Sequence, residues 1–368
     1  MSTSKSKSQI PKLFSFRRIV WPSIIGLAVV LYLLYQSFNP EALKQITWNF
    51  NLSFWVFMGF VMMVIRQVAY MYRIRILTDN KLSWGKAFDV IMLWEFASAA
   101  TPSIVGGSIA ALFILNKENI SMGRSTAIVL CTTFLDQMFF IIFAPLFFLL
   151  ADSGIIFPKE EACLSGLNIL FWGTDKALVI AFIIGYTGFL IYTLAIAYGL
   201  FINPRGLEKL IVKLFSIRLL RKWKQGAIKA GEDVFIASKE LQSQSVSFWW
   251  KTSIATILSW SARYFVVNCI LIAFMVALDT GDHFIIYARQ FVMWIILLIP
   301  TTPGSTGVAE ITFLKVLCEF IPSGLDTLLV LLWRMLSYYP YLILGLILLP
   351  RWLRRVYKVS SPKSQVSS

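Results

Sequence analysis

The segment Pro300-Thr301-Thr302-Pro303-Gly304-Ser305-Thr306-Gly307-Val308-Ala309-Glu310 interrupts a long apolar stretch with two prolines near its start, two glycines and a carboxylate. Proline removes a backbone donor and glycine permits positive φ, so a regular helix ends here. If the flanking stretch lies in lipid, nothing around it can satisfy the freed carbonyls. Such a break is tolerated only where it is buried in protein or lines a polar cavity. A Glu beside it is a candidate functional residue. A looser copy lies upstream, with Glu95 followed by Thr101-Pro102-Ser103-Ile104-Val105-Gly106-Gly107. Two broken segments at matching places in two halves of a chain are the pattern of an inverted-repeat membrane architecture.

Composition supports the membrane setting. The chain is 58% hydrophobic and 14% charged, with a mean hydropathy of +0.72, where a soluble domain carries about 25% charged residues. Several apolar runs reach the roughly 20 residues that cross a bilayer. The expected class is an all-α polytopic membrane protein, with no room for a sizeable soluble domain. The net charge of +15 reads as orientation by basic loops and contact with anionic lipid, not as nucleic-acid binding. Cys131, Cys163, Cys269 and Cys318 show no metal-ligand or disulfide spacing, and the lone His283 sits beside Asp279 and Asp282 in an aqueous loop. No cofactor and no metal site are expected, and no enzymatic role, because clustered carboxylates or a base–nucleophile pair are not evident.

Apolar runs lie near 19–38, 52–72, 88–115, 125–150, 177–202, 249–277, 284–321 and 324–350. Loop charge orients them. The tail 1–18, the loop 73–87 with Arg73, Arg75, Lys81 and Lys86, the connector 203–248 and the tail 351–368 are basic and read as cytoplasmic. The loop 151–176 is acid-rich and reads as external, so the chain crosses an odd number of times between 87 and 151. The run 125–150 accounts for one crossing, and 88–115 must enter and return. Ala87–Ala100 makes only ~21 Å of helix at 1.5 Å per residue, too short to span. The same count makes 284–321 a hairpin from the other side. The expectation is about six full crossings plus two re-entrant broken-helix hairpins, about eight membrane segments, in a flippase-like region 19–350 with repeat halves 52–150 and 249–350. Both termini would be cytoplasmic in the cell (inner) membrane. The rival reading has each hairpin arm cross at a tilt. Within the connector, Ile217, Leu219, Leu220 and Trp223 interleave with Arg218, Arg221, Lys222 and Lys224, a pattern that fits an amphipathic helix on an anionic leaflet or a plain basic connector.

The second break, Pro303-Gly304-x-x-Gly307-Val308-x-Glu310, with Arg334 in the next crossing, resembles the transmembrane domain of lysylphosphatidylglycerol synthases. Stand-alone members of that family are flippase-like membrane proteins. The first break fits too, through Pro102, Gly106-Gly107, Leu115-Asn116-Lys117-Glu118, Arg124 and Asp136. The chain departs from the family pattern at Ser305, where a second glycine is common, and after Gly106-Gly107, where an arginine is common. The resemblance implies the translocating part of such a machine, without its soluble synthetic domain.

Charges inside apolar runs need a partner or water, since each costs about 2.5–3.5 kcal/mol at mid-helix. Glu310, Arg334, Glu95, Arg263, Arg66 and Asp136 are therefore substrate-binding candidates, together with Pro102, Gly106, Gly107, Pro303, Gly304 and Gly307 at the breaks. Arg66, Arg263 or Arg334 would grip a phosphate, assisted by the half-helix N-terminus after Gly307. Glu310 would bind an amine, relay a proton or cap its own half-helix. The leading expectation is movement of an anionic phospholipid or lipid-linked precursor between leaflets. The alternatives are a small-solute or ion transporter, proton-coupled in one form, and a membrane partner of a cell-envelope glycosyltransferase.

Overall fold

The computed structural model describes residues 48–101, 104–150, 156–158, 175–214, 216, 224–274, 278–298 and 303–358. All regular structure among them is helical. In chain order the helices are α1 (Phe50–Leu77), α2 (Trp84–Ala100), α3 (Ile104–Lys117), α4 (Met122–Leu150), α5 (Asp175–Ala197), α6 (Pro204–Leu214), α7 (Lys224–Gln242), α8 (Val246–Phe274), α9 (Thr280–Leu297), α10 (Val308–Val316), α11 (Asp326–Ser337) and α12 (Tyr339–Lys358). A π-helical turn, Tyr198–Ile202, extends α5. Short 3-10 turns lie at Pro303–Ser305 and Cys318–Phe320.

Among the described residues, five helical stretches are long and apolar enough to cross a membrane: Phe50–Leu77, Met122–Leu150, Val179–Ile202, Val246–Phe274 and Asp326–Val356. They coincide with five of the expected crossings. The remaining one, 19–38, lies outside the described residues, as do Pro102 and the amphipathic pattern at 217–223. The outer faces of α1 and α5 present Phe57, Phe60, Ile183, Ile184 and Ile191 to the surroundings. In water this would be an aggregation surface, whereas in lipid tails it carries no penalty.

Between the crossings sit two broken helix pairs. In the first, α2 has 17 residues and α3 has 14, and the two pack on each other. In the second, α9 has 18 residues and α10 only 9, and these also pack together. At about 1.5 Å per residue none of these arms reaches the roughly 20 residues of an ordinary span. Close backbone approach explains the glycine of the first pair. A Cβ at Gly107 would collide with the Ser98 side chain on α2.

The apolar core is divided in the same way. One cluster joins α1, α2, α3 and α4 around Ile74, Leu93, Ala111 and Ile128. Another joins α8, α9, α10 and α11 around Val267, Val292, Phe313 and Leu329. The long helices α1 and α8 pack against each other and tie the two together. At one end of the bundle a buried carboxylate adds a polar tie. Glu118 accepts from Trp352 Nε1 at 2.9 Å, lies 3.2 Å from Lys86 Nζ and pairs with Arg355. Nearby, Arg124 bridges Asp79 and Glu240, which fastens α7 to α4.

Two sequence expectations need correction. Arg73 is not a loop cation, because α1 runs on to Leu77 and Arg73 is 3% exposed within it. Cys318 is disulfide-bonded, which the absence of any local cysteine spacing did not anticipate.

Candidate functional site

A cavity of about 440 Å³ opens where the two broken pairs meet. Its wall includes the candidates Arg66, Glu95, Asp136, Arg263, Gly304 and Arg334. Tyr338 joins the two breaks. Its hydroxyl donates to the Ala99 carbonyl at the end of α2 at 3.2 Å, and its ring lies where a Cβ on Gly304 would fall. Gly304 has φ 60°, so both the backbone and the ring demand glycine there. Gly106, Gly107 and Gly307 shape the breaks without lining the cavity.

The α1 face is built by helical spacing. Arg66, Tyr70 and Arg73 lie at i, i+4 and i+7 and share one side. The Tyr70 ring centroid is 4.6 Å from each guanidinium carbon. Arg66 Nη2 donates to Glu95 Oε1 at 2.8 Å, and its other terminal nitrogen donates to the Tyr341 hydroxyl. Arg73 Nη1 donates to Asp136 Oδ1 at 2.6 Å and to Thr256 Oγ1 at 2.8 Å. Trp260 Nε1 completes the Asp136 shell at 2.9 Å. Each buried guanidinium on α1 thus has a carboxylate and a second hydrogen-bond partner, the condition under which burying a charge is tolerable.

At the second break the carboxylate is held from within. Gly307 N–H donates to Glu310 Oε2 at 2.6 Å, and the other carboxylate oxygen is 2.8 Å from Arg334 Nε. The Glu310 and Arg334 side chains are 3% and 6% exposed. Of the roles open to Glu310 in the sequence, capping is the one the geometry contains. The first-turn donors and positive end of α10 already face a carboxylate. Arg334 stacks between Trp333 and Tyr338, and its Nη2 has no hydrogen-bond partner.

Arg263 differs from the other three cavity arginines. It is half-buried midway along α8 and lines the cavity. Its guanidinium carbon lies 5.7 Å from the centroid of the Trp260 ring. Arg66, Arg73 and Arg334 each pair with a carboxylate; Arg263 pairs with none among the described residues. Apolar aromatic surface surrounds these charges, with Phe140 and Trp294 stacked 3.5 Å apart.

Sequence reasoning missed Arg73, Trp260, Tyr338 and Tyr341. The first was legible in the spacing Arg66–Tyr70–Arg73. The tyrosines and the tryptophan become site residues only through tertiary packing. Arg289, the other buried arginine of interest, stays outside the cavity. It donates to Glu319 at 2.6 Å and to the Val316 carbonyl at 3.0 Å, stapling α9 to the end of α10.

The sequence profile of the family described as the lysylphosphatidylglycerol synthase TM region matches residues 19–345. A protein of Archaeoglobus fulgidus named UPF0104 membrane protein is 25% identical over 321 residues, covering 83% of this chain and 89% of that protein. No solved structure matches.

Proposed function

Because the chain belongs to the lysylphosphatidylglycerol synthase transmembrane-region family, we propose that it is a translocase that moves an anionic lipid, or a lipid-linked anion, between the leaflets of the cell membrane. The observation that carries this reading is Arg263. A guanidinium in an apolar wall is costly unless an anion meets it. Three cavity arginines already have their carboxylates. The fourth leaves one positive charge for a ligand, and a phosphate is the planar fork's natural partner.

The two broken pairs act as re-entrant hairpins from opposite faces, related as inverted repeats. Acyl chains remain in the bilayer while the head group occupies the cavity. The end of the bundle that carries Glu118 and Arg355 is the cytoplasmic one, and opening there separates Glu118 from Arg355 and Trp352. Cys318 supports the opposite assignment for the other end, since disulfides persist on the oxidising side of a membrane. The role is transport, not chemistry on the head group.

The test is transbilayer movement of labelled lipid in proteoliposomes. An anionic lipid moves faster than a zwitterionic one of the same chains. Efflux of a soluble phosphate ester without lipid movement would instead favour a small-anion transporter.

A further inference from the structure

Among the described residues, several buried polar atoms of the cavity wall have no hydrogen-bond partner. Thr132 Oγ1, Gln137 Oε1, the Tyr264 hydroxyl and Arg334 Nη2 all lack a hydrogen bond, and all four residues line the cavity. Thr132, Gln137 and Tyr264 are 7%, 6% and 6% exposed. The threonine is out of line with its peers. Thr133, Thr193, Thr252 and Thr312 each return the hydroxyl to the carbonyl four residues back, the usual way a helix hides that group. Thr132 does not.

Thr132, Gln137 and Tyr264 lie on neighbouring parts of the cavity wall. Thr132 and Gln137 flank Asp136 on α4, and Asp136 is held by Trp260 of α8. Tyr264 lies one turn beyond Trp260, with its ring centroid 6.2 Å from that of Phe140. Arg263 is its neighbour in sequence. A buried donor or acceptor left unmet costs about 1–3 kcal/mol, so a cluster of them beside an unpaired guanidinium is a built recognition surface. The charge it offers is single, and the groups around it are hydroxyl and amide. Phe140, Trp260, Trp294 and Tyr264 add flat apolar faces, which suit the C–H face of a saturated ring.

Resting on the translocase reading above, we propose that the head group is a phosphodiester bearing a polyhydroxylated ring, a sugar or cyclitol. Its phosphate meets Arg263 and its hydroxyls meet Thr132, Gln137 and Tyr264. These three residues set specificity, while the net positive charge sets the requirement for an anion.

The experiment uses the full chain in proteoliposomes with labelled lipids of identical acyl chains and one negative charge each. The head groups are phosphatidylmethanol, phosphatidylglycerol and phosphatidylinositol. Movement is expected to rise from the methyl to the glycerol to the ring head group, by roughly tenfold or more across the series. Thr132→Val, Gln137→Leu and Tyr264→Phe, tested singly, each shrink that ratio. Equal rates for the three lipids in the unmodified protein, or a preference for glycerol over the ring, would overturn the head-group assignment and leave translocation standing. Movement of none of them, with the protein folded, removes the translocase reading as well. A variant that keeps the full ratio removes its residue from the specificity set.

Discussion

The two breaks look alike in sequence and solve their electrostatics in opposite ways. At the second, Glu310 lies after the break, caps Gly307 and holds Arg334 of the following helix, with its side chain 3% exposed. At the first, Glu95 lies before the break and holds Arg66 of the preceding helix, with its side chain 24% exposed to the cavity. The second break is a buried unit whose carboxylate is held from within, by Gly307 N–H and Arg334. The first places its carboxylate on the cavity wall. The difference teaches that a charged residue beside a broken helix has at least two uses. Burial and the cap, not the sequence motif, tell them apart.

The largest expected effect tests the buried unit. Glu310→Ala leaves a buried guanidinium and the Gly307 N–H without their carboxylate, a loss of about 3–5 kcal/mol. Unfolding of the purified protein in mixed micelles measures it. Glu95→Ala also removes a carboxylate from a buried guanidinium, but Arg66 keeps its Tyr341 partner and lines the cavity, so the expected loss is smaller. Equal losses at the two positions would erase the contrast. A smaller effect separates the glycines. Gly107→Val drives side-chain atoms into Ser98 and costs up to about 3 kcal/mol by overpacking; Ser98→Ala relieves part of it. Gly307 faces open space but has φ 87°, so Gly307→Val costs about 1–3 kcal/mol through backbone strain alone. No neighbouring substitution rescues that variant. The smallest effect is Tyr341→Phe, which removes one hydrogen bond from Arg66 and costs about 1.5 kcal/mol. Because Glu95 still holds Arg66, the anionic-lipid rate of this variant stays near that of the unmodified protein.

Much of this was legible in the chain. Apolar runs of spanning length, two prolines and glycines inside others, and basic loops were enough to anticipate the helical membrane fold and the two broken pairs. The intramembrane charges picked out Arg66, Glu95, Asp136 and Arg263, and the structure brings these into one cavity. What the sequence did not reveal depends on contacts between distant segments. Arg73 was hidden by charge counting, which assigned it to a loop although its helix continues. Asp136 accepts from both Arg73 and Trp260, a network that spans three helices. Tyr338 bridges the breaks from a third element, and nothing local marks it. Glu310 was ambiguous because a capping carboxylate and a ligand carboxylate are the same residue type in the same position.

The central claim is that Arg263 is the cation kept free for the transported head group. Its direct measurement is the transbilayer rate of a labelled anionic phospholipid in proteoliposomes carrying Arg263→Gln, beside the unmodified protein and Arg263→Lys. The account predicts a loss of roughly tenfold or more for the glutamine variant, as expected when a charge-assisted contact of about 1.5–3 kcal/mol is removed. It predicts partial retention with lysine and no stability loss in micelles, since no partner is orphaned. A glutamine variant that is fully stable and moves the anionic lipid at the unmodified rate would contradict it.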